Sequence, residues 1–165
     1  MLSYLVNNPA EERPIMNATD YRAPANGVEN VFNRAVRWLT DRGVNLAGAQ
    51  TLTVTGRVSG TPQRIPVNPL QIDGHEYLVS PRGNTQWSRN ARAVPTAELR
   101  RGRRVRAVRL AEIAVDQRAP IIRTYLDKWG WEVGRLLPEG LGVDPTDDEL
   151  ARHIADLPVF EIHAA

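Results

Sequence analysis

Two prolines three residues apart, Pro66 and Pro69, constrain the fold of this chain more than any other feature of its sequence. They interrupt an extended stretch, residues 64–72, that lies between two segments with strong strand signals. Each proline removes a ladder donor, and their odd spacing puts the two missing N–H groups on opposite edges of a strand. A regular central strand is therefore disfavoured, and the stretch reads as an edge strand, a bulge or a ligand-facing margin. Before it, residues 51–55 (TLTVT) are β-branched and alternate, with Leu52 and Val54 on one face. After it, Asp73-Gly74 is a hairpin turn from which residues 75–80 return as a strand. A second hairpin is expected to pair residues 98–101 with 105–113 around Gly102, and residues 159–162 form a last strand.

Helical periodicity flanks these strands. Val28, Val31, Phe32, Ala35 and Leu39 share one face of a helix over 28–42. A short helix is expected over 85–93. Over 117–137, Ile122, Tyr125, Leu126, Trp129, Val133, Leu136 and Leu137 make an apolar stripe at helical spacing, with Trp131 roughly opposite it. The last helix is expected to start near Asp144-Pro145, with acids at Asp147, Asp148 and Glu149 against its dipole. Residues 1–26 have no steady period and read as an N-terminal arm, leaving 27–165 as a single domain. Five or six strands with helices at both ends point to an α+β fold built on a small antiparallel barrel.

Composition removes several kinds of chemistry. There is no cysteine, so disulfides, zinc ribbons and thiol catalysis are excluded within the chain. His75, His153 and His163 are scattered, and neither a metal-ligand spacing nor a GxSxG elbow is present. The N-terminus turns polar after six residues without a basic leader, and no apolar run reaches the ~20 residues of a membrane span, so a cytoplasmic protein is expected. The net charge of +2 conceals an asymmetry: residues 82–109 hold nine arginines against Glu98, whereas residues 137–165 hold seven acids against Arg152. That arrangement implies a local anion. An arginine-rich module for nucleic acid is the competing reading, but neither a reading helix nor an aromatic ladder accompanies the basic run, so no nucleic-acid partner is expected.

Two polar clusters carry the candidate chemistry. Gly56-Arg57-Val58-Ser59-Gly60 follows a strand directly, and its amides, Arg57 and the Ser59 hydroxyl suit a phosphate or carboxylate. Its glycine spacing is not that of a P-loop, and alone such a turn is also an ordinary hairpin loop. The second cluster runs from Ser80 through Arg82, Gly83 and Thr85 to Trp87 and Asn90. A strand ends there and a helix begins, whose N-terminus attracts anions. Trp87 and Asn90, three apart, share a helical face, either as a core plug with its polar partner or as the wall of a ring pocket.

Together TLTVTGRVSGTPQRIPV and YLVSPRGNTQWSRNARAVP resemble the deazaflavin-dependent nitroreductase and quinone reductase family of actinobacteria, over about residues 50–95. The resemblance implies a split β-barrel of about six mostly antiparallel strands that binds coenzyme F420, with FMN as the alternative flavin. It implies hydride transfer to a small electron-poor acceptor: a quinone, a nitro compound or an activated alkene. Carried over by position, Arg57, Val58 and Ser59 meet the phosphate or tail, with Arg64 a further candidate. Pro66, Val67 and Asn68 line the ring edge, Ser80, Arg82 and Gly83 close over the phosphate side, and Trp87 and Asn90 brace the pocket. No catalytic residue is assigned, the proton donor being Tyr125 or water, and no metal is implied. The chain departs from the family pattern at Val58 and Gln63, where basic residues are usual, and at Asn84 and Ser88. Such departures also suit a carrier that binds a deazaflavin without turnover. Split barrels often dimerise across the sheet, so a homodimer is an option, although the sequence identifies no interface.

Overall fold

The computed structural model describes Arg34 and residues 49–165. The arm of residues 1–26 and the helix expected over 28–42 lie outside the described residues, apart from Arg34, which is helical and exposed.

Seven strands form one sheet: β1 (Gln50–Thr55), β2 (Pro62–Val67), β3 (Leu70–Ile72), β4 (His75–Val79), β5 (Thr96–Arg101), β6 (Arg104–Glu112) and β7 (Val159–Ala164). Their order is β2-β1-β5-β6-β7-β4-β3, and every pairing is antiparallel. The consecutive strands β2 and β3 thus occupy the two opposite edges. In a flat sheet those edges would stand about 29 Å apart, at ~4.8 Å per strand. Yet only Asn68 and Pro69 separate Val67 from Leu70, and three Cα steps reach at most ~11 Å. The sheet must therefore curl until its edges nearly meet, without the ladder that would seal them. This is a split β-barrel.

The prolines explain the seam. The expected single stretch over 64–72 is two strands, which raises the count from about six to seven. Pro62 and Pro66 are four apart and so face the same side of β2, and as an edge strand β2 has one side that needs no donors. Pro69 falls in the break itself and helps to end β2 before the chain crosses the seam.

Alternation sends Leu52, Val54, Leu78, Leu99, Val108, Leu110, Phe160 and Ile162 into the barrel, where they form one core cluster. Helix α1 (Gln86–Ala93) plugs this interior with Trp87 and Ala91. The Trp87 and Phe160 rings meet at 5.5 Å and 49°, the tilted contact that aromatic pairs prefer.

A second core lies between helices and sheet. Ile122, Tyr125, Leu126 and Val133 of α2 (Arg118–Val133) pack with Leu70, Val79 and Val159, and Leu150 of α3 (Asp147–His153) joins them. The cap of α3 is Thr146, whose hydroxyl accepts from the Glu149 amide while Glu149 accepts from the Thr146 amide. This capping box moves the helix start two residues beyond the expected Asp144-Pro145. Buried Arg118 clamps the end of this layer, donating to the carbonyls of Ile113, Ile154, Ala155 and Leu157 and to Glu112 at 2.9–3.3 Å. Among the described residues, no helix is long and apolar enough to cross a membrane.

Candidate functional site

The turn between β1 and β2 is held from both sides. Its own backbone closes with Gly56 N–H donating to Thr61 O and Gly60 N–H to Gly56 O, each at 2.8 Å. A Cβ at Gly56 would sit 2.7 Å from Ser59 Oγ and 3.0 Å from Thr61 O, so only glycine lets the turn close so tightly. Asn90 braces it from α1. Its Oδ1 accepts from the Arg57 amide at 3.1 Å and from Arg57 Nη1 at 2.9 Å, while its Nδ2 donates to Gln63 Oε1 at 2.7 Å. Asn90 is 1% exposed, so all three bonds form where water competes little.

Arg57 also donates to Gln86 Oε1 at 2.9 Å. Gln86 is the first residue of α1, whose cap residue Thr85 makes no side-chain bond to the helix and whose first turn holds no acid. The guanidinium is thus fixed beside an uncapped helix N-terminus, and its hydrogen-bond acceptors are neutral amides. Two positive features are brought together with no counter-charge between them among the described residues. They repel each other mildly until an anion bridges them, so the arrangement suits a phosphate or carboxylate. The Val58 and Ser59 amides of the same turn have no hydrogen-bond partner among the described residues, and both residues are exposed, Val58 to 91%.

The remaining expected residues divide. Ser80 is fully buried, and its hydroxyl donates to Gly83 O at 2.6 Å, so it shapes the loop before α1. Gly83 supplies the left-handed turn of that loop at φ +87°, where a Cβ would meet Asp156 O at 3.2 Å. Arg82 is exposed on it. Trp87 is a core plug. Arg64 stands opposite Thr53 on the outer face of the barrel, whereas Gln63 pairs with Val54 and turns toward Asn90. The Arg57–Asn90 cluster therefore includes Gln63 and not Arg64. Val67 packs against the barrel core, and Pro66 stands on the outer face opposite Thr51.

Asn68 belongs to a different cluster. At the seam, its Nδ2 donates 3.1 Å to Oε2 of Glu132, an acid on α2 that is only 4% exposed. Burial pushes the Glu132 carboxyl above its ordinary value, and the Asn68 bond only partly opposes this. Tyr125, two turns earlier, is also buried, and its phenol is held well above the usual range by burial and then by the Glu132 charge. Trp129 Nε1 is buried without a hydrogen-bond partner among the described residues, and exposed Trp131 donates to Lys128 O at 3.1 Å. Neither Gln86 nor Glu132 stood out in the sequence. Gln86 lay inside the second polar cluster, but an uncharged amide carries no anion signal, and nothing marked Glu132 as buried.

The curled seven-stranded sheet is thus a split β-barrel, with a polar cluster around Arg57 between its first hairpin and α1. A sequence profile of the F420H(2)-dependent quinone reductase family matches residues 31–130. The chain belongs to that family, and its cofactor is coenzyme F420. No curated protein matches it. Among solved structures, an F420-H2 dependent reductase, FDR-A, is 19% identical over 70% of this chain and 94% of its own, with a TM-score of 0.44. A FAD-binding protein from Mesorhizobium loti is 16% identical over 81% of this chain and 88% of its own, at 0.48. The heme storage protein HutZ from Vibrio cholerae is 9% identical over 82% and 90%, also at 0.48. These likenesses are distant, and family membership rests on the profile match.

Proposed function

We propose that the chain seats the F420 phosphodiester against Arg57, the amides of Val58 and Ser59 and the N-terminus of α1, and reduces a small electron-poor acceptor of quinone type. The observation that carries this reading is Arg57 held by neutral amides beside an uncapped helix N-terminus. When bound, the reduced deazaflavin supplies the hydride. The chain's own residues fix the phosphate, exclude water and set the acceptor against the ring. Pro66 and Asn68, at the seam end of β2, are the residues that would line the deazaflavin ring. The five residue steps of β2 span about 17 Å at ~3.4 Å each, which leaves room for an extended cofactor between its anionic and reacting ends. Nitro compounds and activated alkenes are further acceptors with the same electron demand.

The test is titration with oxidised F420 followed by tryptophan fluorescence, with FMN in parallel. Arg57→Ala removes the charge-assisted bonds, about 1.5–3 kcal/mol, and is expected to weaken F420 binding roughly 10- to 150-fold. Equal affinity of wild type and Arg57→Ala refutes the cradle. Tight binding with no oxidation of reduced F420 by quinone, nitro or alkene acceptors identifies a carrier instead.

A further inference from the structure

Glu132 is a buried acid with no cation to balance it among the described residues. Its Oε2 is held by the Asn68 amide, and its Oε1 has no hydrogen-bond partner among the described residues. The titratable group facing it is Tyr125 on the same helix, while Asn68 faces it from the seam. An amide donor aimed at Oε2 sorts the two oxygens. In the neutral acid, the proton belongs on Oε1, the oxygen that accepts nothing. Such a carboxyl costs stability compared with an apolar residue, which makes it a candidate for chemistry.

Hydride addition to a quinone-type carbonyl acceptor leaves an oxyanion that must take up one proton. We propose that Glu132, steadied by Asn68, is the acid that supplies this proton. This rests on the reading above that the cofactor ring lies along the Asn68 edge. The hydride carries the electron pair from the reduced deazaflavin to the acceptor. The Glu132 Oε1–H bond breaks, an O–H bond forms on the acceptor, and the carboxylate then regains a proton from water. The acceptor class follows from the donor: a substrate whose reduction develops charge on oxygen gains most from a neutral acid at the ring edge.

Glu132→Gln is close to isosteric, and its side-chain carbonyl still accepts from Asn68, so the fold and F420 binding are expected to survive. It carries no acidic proton. Its kcat for quinone reduction is expected to fall about 100-fold or more with a smaller change in KM, and the alkaline fall in wild-type kcat should disappear. Independently of turnover, the 13C resonance of the Glu132 carboxyl in the cofactor-free protein should titrate above the ordinary value of 4.5. A variant kcat within twofold of wild type, or a carboxyl titrating at or below 4.5, overturns the proposal. If neither protein binds F420, the cofactor reading fails and this one falls with it. Binding retained with unchanged turnover refutes Glu132 alone.

Discussion

Gln86→Glu separates anion binding from stability, because it should move the two in opposite directions. The Gln86 amide oxygen accepts from Arg57 Nη1 at 2.9 Å, so a carboxylate of the same length gives that guanidinium an acidic partner. The site is exposed, so the pair contributes only about 0.2–1 kcal/mol. An acid in the first turn of α1, which has none, adds roughly 0.3–1 kcal/mol against the dipole. Together these raise Tm by about 1–6 °C in a domain of this size. Binding responds the other way. A phosphate seated on Arg57 would lie about 5 Å from the new carboxylate, and repulsion at an effective dielectric constant between 20 and 80 costs about 1–3 kcal/mol. F420 affinity should therefore fall roughly 5- to 150-fold while the protein melts higher, and the loss should shrink as salt is added. Gln86→Ala, which adds no charge, is expected to stay within a few-fold of wild type. The assays are differential scanning fluorimetry and fluorescence titration with F420 at two ionic strengths. If Gln86→Glu melts higher and binds F420 as tightly as wild type, no anion sits between Arg57 and α1.

Four further outcomes follow from the packing. Arg118→Met removes the donor to the Ile154 and Leu157 carbonyls and one of the two arginines on Glu112, which keeps Arg92, and should cost about 1–3 kcal/mol in urea unfolding. Thr146→Ala breaks the capping box of α3 and should cost about 1 kcal/mol by the same measure. Gly83→Ala places a Cβ at φ +87° and 3.2 Å from Asp156 O, so a loss of about 1–2 kcal/mol is expected. The two perturbed acids should shift acid stability oppositely. Hydrogen bonds from Arg92, and then Arg118, hold Glu112 below 4.5, so its contribution is complete above that pH and is lost as pH falls toward its folded value. Burial raises Glu132 above 4.5, so its ionisation costs stability as pH rises, and Glu132→Gln should be the more stable protein at neutral pH with an advantage that disappears below 4.5. Unfolding of Glu112→Gln and Glu132→Gln across that range checks both signs.

Much of the fold was legible because local patterning and tertiary context agree. The alternation of TLTVT gives β1, Asp73-Gly74 gives the β3–β4 turn, and the stripe from Ile122 to Val133 gives the buried face of α2. The proline pair correctly marked an edge. It could not reveal that one break carries the chain between both edges, because that depends on the curl of the whole sheet. The last helix start was misplaced for a local reason: Asp144-Pro145 competes with Thr146, and the Thr146/Glu149 spacing is the stronger signal once both halves of the capping box are read.

The candidate site divides along the same line. Arg57 and Asn90 are visible as residue types because an anion needs a cation and a turn needs a brace. Gln63 and Gln86 are not, since a neutral amide becomes informative only when an arginine or another amide is seen hydrogen-bonded to it. The choice of amides is itself functional in the proposed reading. A carboxylate in place of the Gln86 or Asn90 amide would hold Arg57 as well or better, but would also satisfy its charge. Neutral acceptors orient the guanidinium and leave the charge for a ligand. Residues that position a charge without quenching it look unremarkable in a sequence, and Glu132 is equally silent there, since its burial and its bond from Asn68 appear only in the folded chain.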